Sequence, residues 1–212
     1  GLSIDGKALV ENAGKEHWIG QDLTFSAPKS VSVLFGLSDK TEREKIQKAH
    51  LNAVKKVLKY AEKNIIETRT GFDEFKNREK VISNKSLFAI FEHSSSRALD
   101  PQLHSHCLLL NLTHVDGVGV RSIESLKLHK YQKSLGVMYR NELSYQLNKS
   151  LNIDIQHDEE FFKLPSVPDE LCQRFSKRSE AITESIANKQ WPIRPNEQLS
   201  WLPEELIDYP IA

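Results

Sequence analysis

The hydrophobic positions of this chain fall into blocks of two different periods. In "DLTFSAPKSVSVLFGL" (Asp22–Leu37), Leu23 and Phe25 alternate with polar neighbours, as do Val31 and Val33. This predicts two short strands bent at Pro28. Thr41 and Glu44 then form a T-x-x-E capping box, and Ile46, Ala49, Ala53, Val54, Val57, Leu58 and Ala61 recur behind it at helical spacing. A long amphipathic helix from about Glu42 to Asn64 follows from that pattern. Ile65–Thr70 reads as a strand and the charged stretch up to Lys85 as a loop. "KSLFAIFEH" (Lys85–His93) and "LHSHCLLLNLTH" (Leu103–His114) read as strands joined by the polar loop Ser94–Gln102. Asp116 and Gly117 make a turn, after which Gly119–Ile123 continues the sheet. Leu135, Tyr139, Leu143 and Leu147 mark a second helix over His129–Lys149, and "LNIDIQ" with "EFFKL" a small hairpin. A third helix starts near Pro168, with Leu171, Phe175, Ile182 and Ile186 on one face. Four prolines between Trp191 and Ala212 indicate an extended tail.

Strands separated by long helices, with a hairpin at the centre, predict an α+β fold in which helices cover one face of an antiparallel sheet. Residues 1–190 then form one folded core and residues 191–212 a proline-rich tail. The opening "GLSIDGKALV" lacks methionine, so a segment upstream of Gly1 is expected.

Composition narrows the function classes. With 29 basic and 29 acidic residues the chain has no net charge, and its pI is near 7.3. It is not a polycation that coats nucleic acid, so any contact with DNA must come from local clusters. No apolar run approaches the roughly 20 residues of a membrane span. Two cysteines, Cys107 and Cys172, are too few for a disulfide framework and read as small apolar residues in a reducing cytoplasm.

The candidate chemistry lies in "HSSSRALDPQLHSHCLLLNLTH" (His93–His114), where three of the eight histidines surround one polar loop. Side chains on a strand alternate faces, so His104 and His106 project the same way, about 6–7 Å apart. If the preceding strand pairs antiparallel, His93 lies beside them. Three converging imidazoles make a facial nitrogen site that leaves positions open for water or substrate oxygens. Spacing alone fits a cupin-like oxygenase as well, and it fits three surface histidines that are merely neighbours. Arg97 in the loop suits phosphate oxygens, which it can grip in bidentate fashion; a structural pair with Asp100 is the competing role.

"DLTFSAPKSVS" (Asp22–Ser32), "HSSSRALDPQLHSHCLLLN" (His93–Asn111) and "FSKRSEAI" (Phe175–Ile182) occur in this order, and together they resemble the conjugative relaxases of the TrwC/TraI type, members of the HUH endonucleases. The typical family form of the second block is "RDPQLHTH"; here Leu99 precedes Asp100 and Ser105 stands between the histidines. The resemblance, which runs from about Leu2 to Lys189, implies a palm-like antiparallel sheet. It implies a metal-dependent enzyme that nicks and transfers single-stranded DNA at a plasmid origin of transfer, working in the bacterial cytoplasm with relaxosome and type IV secretion partners. It also implies that His93, His104 and His106 bind a divalent ion, that Asp22 acts as a base or orients a histidine, and that Arg97 lies near the DNA backbone. Without the resemblance, Asp22 reads as a cap or turn carboxylate. Three neutral imidazoles favour copper, nickel and zinc over manganese and magnesium, whereas phosphate chemistry usually employs magnesium or manganese.

The family attacks through tyrosines near its N-terminus, forming a phosphotyrosyl intermediate. This chain has no tyrosine before Tyr60. Tyr60, Tyr131, Tyr139 and Tyr145 fall in or beside helices, with Tyr139 on the apolar stripe, and Tyr209 falls in the tail. The nucleophile is therefore expected outside this chain, and the alternative reading is a truncated, inactive domain that binds metal and DNA. Three basic stretches are further DNA-contact candidates: Lys76, Arg78, Lys80 and Lys85; Lys127, Lys130 and Lys133; Arg174, Lys177 and Arg178. Trp18, Trp191 and Trp201 read as core, with stacking on DNA bases as the alternative. His17, His50, His114, His129 and His157 read as structural or exposed.

Overall fold

In a computed structural model the described residues are 5–6, 18–72, 74–76, 78–83, 85–158, 161–177 and 180. His17, Asp73, Arg178, Ile182, Ile186, Trp191, Trp201, Tyr209 and the boundary at 190/191 lie outside them. The chain divides into Gly1–Phe175 and Ser176–Ala212. In the second unit the amide of Glu180 donates to the carbonyl of Ser176 at 3.1 Å, one helical turn.

The first unit is built on one antiparallel sheet. Its central strand β5 (Pro101–Val115) lies between β1 (Gly20–Ser26) and β4 (Ser86–Ser95), and β6 (Gly119–Arg121) folds back onto its end. Along β5, Leu103, Ser105, Cys107 and Leu109 are buried while the intervening residues are half-buried, the period of two that one covered face imposes. Helices α1 (Lys29–Leu37), α2 (Lys40–Asn64) and α4 (Gln132–Leu151) belong to the covered side. Ile46, Ala49, Ala53, Val54, Val57, Leu58 and Ala61 of α2 are buried, as are Leu135, Tyr139, Leu143 and Leu147 of α4. Each such leucine contributes about 2 kcal/mol by leaving water.

Smaller elements complete the unit. β2 (Glu67–Phe72) pairs with β3 (Arg78–Ile82) and with β7 (Ile123–Glu124) in a second sheet, and β8 (Gln156–Asp158) pairs with β9 (Phe161–Lys163). α3 (Leu126–Lys130) precedes α4, and α5 (Asp169–Arg174) is a short final helix. The expected hairpin, the antiparallel sheet and its one-sided helical cover are all present.

Three local expectations are corrected. The second strand expected at Val31 and Val33 is helix α1. Its valine–serine alternation mimics a half-buried strand, yet Ser30 and Ser32 are as buried as Val31 and Val33. The hydroxyl of Ser30 accepts the Leu164 amide at 3.1 Å and that of Ser32 the Leu103 amide at 3.0 Å, so the polar positions face inward with partners. The expected charged loop before Lys85 contains β3, a strand exposed almost throughout, so no buried face marks it in the sequence. The cap of α2 is Asp39, whose carboxylate accepts the Glu42 amide at 2.9 Å, not Thr41. Serving from the residue before Lys40, it satisfies one of the first-turn donors.

Candidate metal centre

β4 and β5 are joined by a loop that Ser96 ties together. Its amide donates to the Asp100 carbonyl at 2.8 Å, while its hydroxyl accepts the amides of Ala98 and Asp100, both at 3.2 Å. The loop is therefore shorter than Ser94–Gln102, and it holds Leu99 at φ 61°, a conformation that costs a leucine about 1–3 kcal/mol. Behind it, Lys29 Nζ donates to the Pro101 carbonyl at 3.1 Å. Burial lowers the Lys29 pKa, and the nearby Asp100 carboxylate works against that shift. Gly36 of α1 leaves room for the same proline, because a Cβ there would stand 2.9 Å from Pro101 Cγ. The start of β5 is fixed from both sides.

This loop sets the register that assembles the histidines. His93 lies directly opposite His104, and Phe91 opposite His106. Directly opposed residues share a face, so the three rings gather on the side of the sheet away from α2. Their centroids are 5.1, 5.3 and 5.3 Å apart, and one ring nitrogen from each lies within 4.8 Å of the others. The convergence expected from spacing is present.

The third strand orients the rings. In β1, Thr24 is opposite His106 and Ser26 opposite His104, which places Asp22, two residues before Thr24, on the same face. Asp22 Oδ2 lies 2.5 Å from His106 Nδ1 and accepts the Thr24 hydroxyl at 3.2 Å; Thr24 Oγ1 is itself 3.1 Å from that ring nitrogen. His104 Nδ1 lies 2.9 Å from the Gln102 carbonyl. A carbonyl only accepts, as does a carboxylate, so in the neutral rings Nδ1 carries the proton and Nε2 keeps the lone pair. This is the tautomer a metal ligand requires, held by the outer partners that such ligands normally have. The donor set fits a divalent cation. Arg97 is exposed on the loop that joins β4 to β5.

Sequence reasoning missed Thr24 and the Gln102 carbonyl, while His50, read as structural or exposed, is structural. His50 is fully buried, with Nε2 2.7 Å from Ser105 Oγ and Nδ1 2.7 Å from Tyr139 Oη. Burial, with a smaller contribution from His104, pushes its pKa down to about 4. Its place on the apolar stripe of α2 was the available signal. Tyr139 is core as expected, and burial raises its pKa far above the usual phenol range. Cys107 is also core, its thiol pushed up to about 12 by burial, which leaves it inert. Trp18, read as core, is 44% exposed. Lys85 pairs with Asp116 at 2.5 Å and Lys127 with Glu67 at 2.6 Å, so two of the basic candidates already have acidic partners.

The profile of the TrwC relaxase family matches residues 1–202. Over 194 residues the chain is 30% identical to the multifunctional conjugation protein TraI of Escherichia coli, which covers 86% of this chain and 10% of that protein. The chain thus spans about a tenth of the length of that relative. The metal-free structure of the conjugative relaxase TrwC in complex with OriT DNA superposes with a TM-score of 0.78 at 32% identity, covering 91% of this chain and 66% of that one. The copper-bound structure of the TrwC–OriT DNA complex gives 0.77 at 31% identity, with 91% and 64% covered. A family profile spanning nearly the whole sequence, and a superposition that embraces the sheet and its helical cover, establish that this chain belongs to the TrwC relaxase family.

Proposed function

We propose that this chain is the core of a metal-dependent relaxase that nicks single-stranded DNA at an origin of transfer and passes the strand on through a tyrosyl phosphate. The observation that carries the reading is the triad His93, His104 and His106 on one open sheet face, with two of its rings already locked in the ligating tautomer. A divalent cation held by His93, His104 and His106 would supply Lewis-acid polarisation of the scissile phosphate and offset its developing negative charge. A tyrosine oxygen forms the new bond to phosphorus, its proton leaves to solvent or a base, and the departing oxygen becomes a 3′-hydroxyl. His93, His104 and His106 supply the ligands. Asp22 supports them by orienting His106, a role its 2.5 Å contact favours over that of general base. Arg97, exposed at the rim, grips a neighbouring phosphate. The copper-bound TrwC structure accords with the preference of imidazoles for late first-row metals; zinc, manganese and magnesium are the other ions to test.

Following the family resemblance, the nucleophile is assigned to a tyrosine that is not among the described residues. Tyr60 and Tyr145 are exposed on α2 and α4, Tyr139 is buried on α4, and Tyr131 joins α3 to α4. α2 and α4 form the layer behind the sheet, away from the triad. That placement favours a second reading for the chain taken alone, that it binds metal and DNA without cleaving. The bacterial cytoplasm, with relaxosome and type IV secretion components as partners, suits this role. Among the described residues no helix is long and apolar enough to cross a membrane.

The deciding experiment incubates the full-length protein with an origin-of-transfer oligonucleotide and zinc, manganese, magnesium or copper ions. A covalent protein–DNA adduct is expected, and its absence with every ion overturns the reading. Arg97→Ala is expected to weaken single-stranded DNA binding and to reduce the slope of log K against log salt by about 0.7, the loss of one phosphate contact. An unchanged slope would return Arg97 to a structural role. Asp22→Asn is expected to weaken metal binding about 10–100-fold by calorimetry, because the amide no longer fixes His106 as a carboxylate does; unaltered affinity would remove Asp22 from the site.

A further inference from the structure

Ser105 stands between His104 and His106 but points to the opposite, buried face of β5, where His50 meets it at 2.7 Å. His50 is held in turn by the Tyr139 hydroxyl at 2.7 Å, so α2 and α4 are tied by side-chain hydrogen bonds to the strand segment that carries two ligands. One helical turn earlier on α2, Gln47 Nε2 donates to Glu92 Oε2 at 3.2 Å. Glu92 is the β4 residue opposite Ser105 and the neighbour of His93. A single helix therefore grips both histidine strands from behind, at the register positions adjacent to all three ligands.

We propose that His50, acting through Ser105, is a positioning residue of the metal centre, fixing the pleat of β5 and so the separation of His104 and His106. The inference rests on the metal-binding reading above. The chemistry suits the task. A neutral imidazole offers one donor and one acceptor on opposite edges, and the serine and tyrosine hydroxyls can each rotate to complement either tautomer. Each of the three side chains has a hydrogen-bond partner in this network, and burial keeps His50 neutral. An apolar replacement would strand two buried hydroxyls, so the strand would relax to find other partners. Metal geometry is sensitive to such shifts because the ligating nitrogens must meet within a few tenths of an ångström.

The test measures zinc and manganese affinity by calorimetry, alongside urea unfolding, for the full chain and three variants. Ser105→Ala is expected to lose about tenfold in metal affinity, while Ser105→Thr, which keeps the hydroxyl, stays near the wild-type value. Val57→Ala, a truncation of a buried residue about two helical turns beyond His50 on α2, is expected to lower the unfolding midpoint without changing the metal affinity of the folded protein. Wild-type affinity in Ser105→Ala overturns the proposal, as does equal loss in Ser105→Thr or Val57→Ala. Failure of the unmutated chain to bind either ion would instead sink the metal-centre reading itself.

Discussion

His104→Ala is expected to abolish tight binding of a divalent ion while leaving the protein folded. His104 is one of three proposed ligands whose ring centroids lie 5.1, 5.3 and 5.3 Å apart, and two imidazoles without it no longer define a facial site. The loss in metal affinity is expected to exceed the roughly 10–100-fold caused by disturbing a mere outer partner, and nicking by the full-length protein falls with it. Stability changes little. The ring lies half-buried on the open face, and its hydrogen bond to the Gln102 carbonyl is worth about 1 kcal/mol. The core lies on the other side of β5. Calorimetric titration paired with urea denaturation checks both halves. Global unfolding of the variant would mark the triad as a structural staple, and undiminished affinity would place the ion elsewhere.

The second large effect is a loss of stability in mild acid that belongs to His50. Its ring titrates near 6.5 when exposed and at about 4 when folded. Between those values the unfolded chain binds a proton that the folded chain refuses, so stability rises with pH through this window and is lost as pH falls through it. At about 1.4 kcal/mol per pH unit the single histidine is responsible for about 3 kcal/mol between pH 6.5 and 4, a large share of the 5–15 kcal/mol typical of a domain. The Lys85 hydrogen bond and charge that lower the Asp116 carboxyl act in the same direction at lower pH, so the comparison must be made against a variant. In His50→Gln, which does not titrate, the plot of unfolding free energy against pH is expected to flatten between pH 6.5 and 4. Parallel curves for the two proteins would show that His50 is already accessible to protons in the native state.

Some elements were legible because one interaction decided them. The stripe of α2 needs only a core on one side, and its period of 3.6 survives any arrangement of partners. The alternation of β5 is equally local, and from it alone His104 and His106 fall on one face. α1 was misread because burial on every side of its first turn erases helical periodicity. Its serines pass for solvent-facing residues until Leu103 and Leu164 present their amides. β3 was missed because a strand that buries almost nothing leaves no hydrophobic signature. The role of Asp22 was suggested by family resemblance, and its partner became visible only in the pairing of β1 with β5.

The sequence by itself determined the donor types, their spacing along β4 and β5, the amphipathic helices and the likeness to relaxases. These depend on side-chain chemistry and on periods that a few neighbouring residues define. Tertiary structure decided which strand lies on each side of β5, and hence that Asp22 reaches His106 across 84 positions of sequence. It also decided that His50 answers Ser105 from 55 positions away. Such contacts are set by strand order and helix packing, in which the whole chain competes for burial at once. No local pattern encodes which distant hydroxyl or carboxylate a ring will meet.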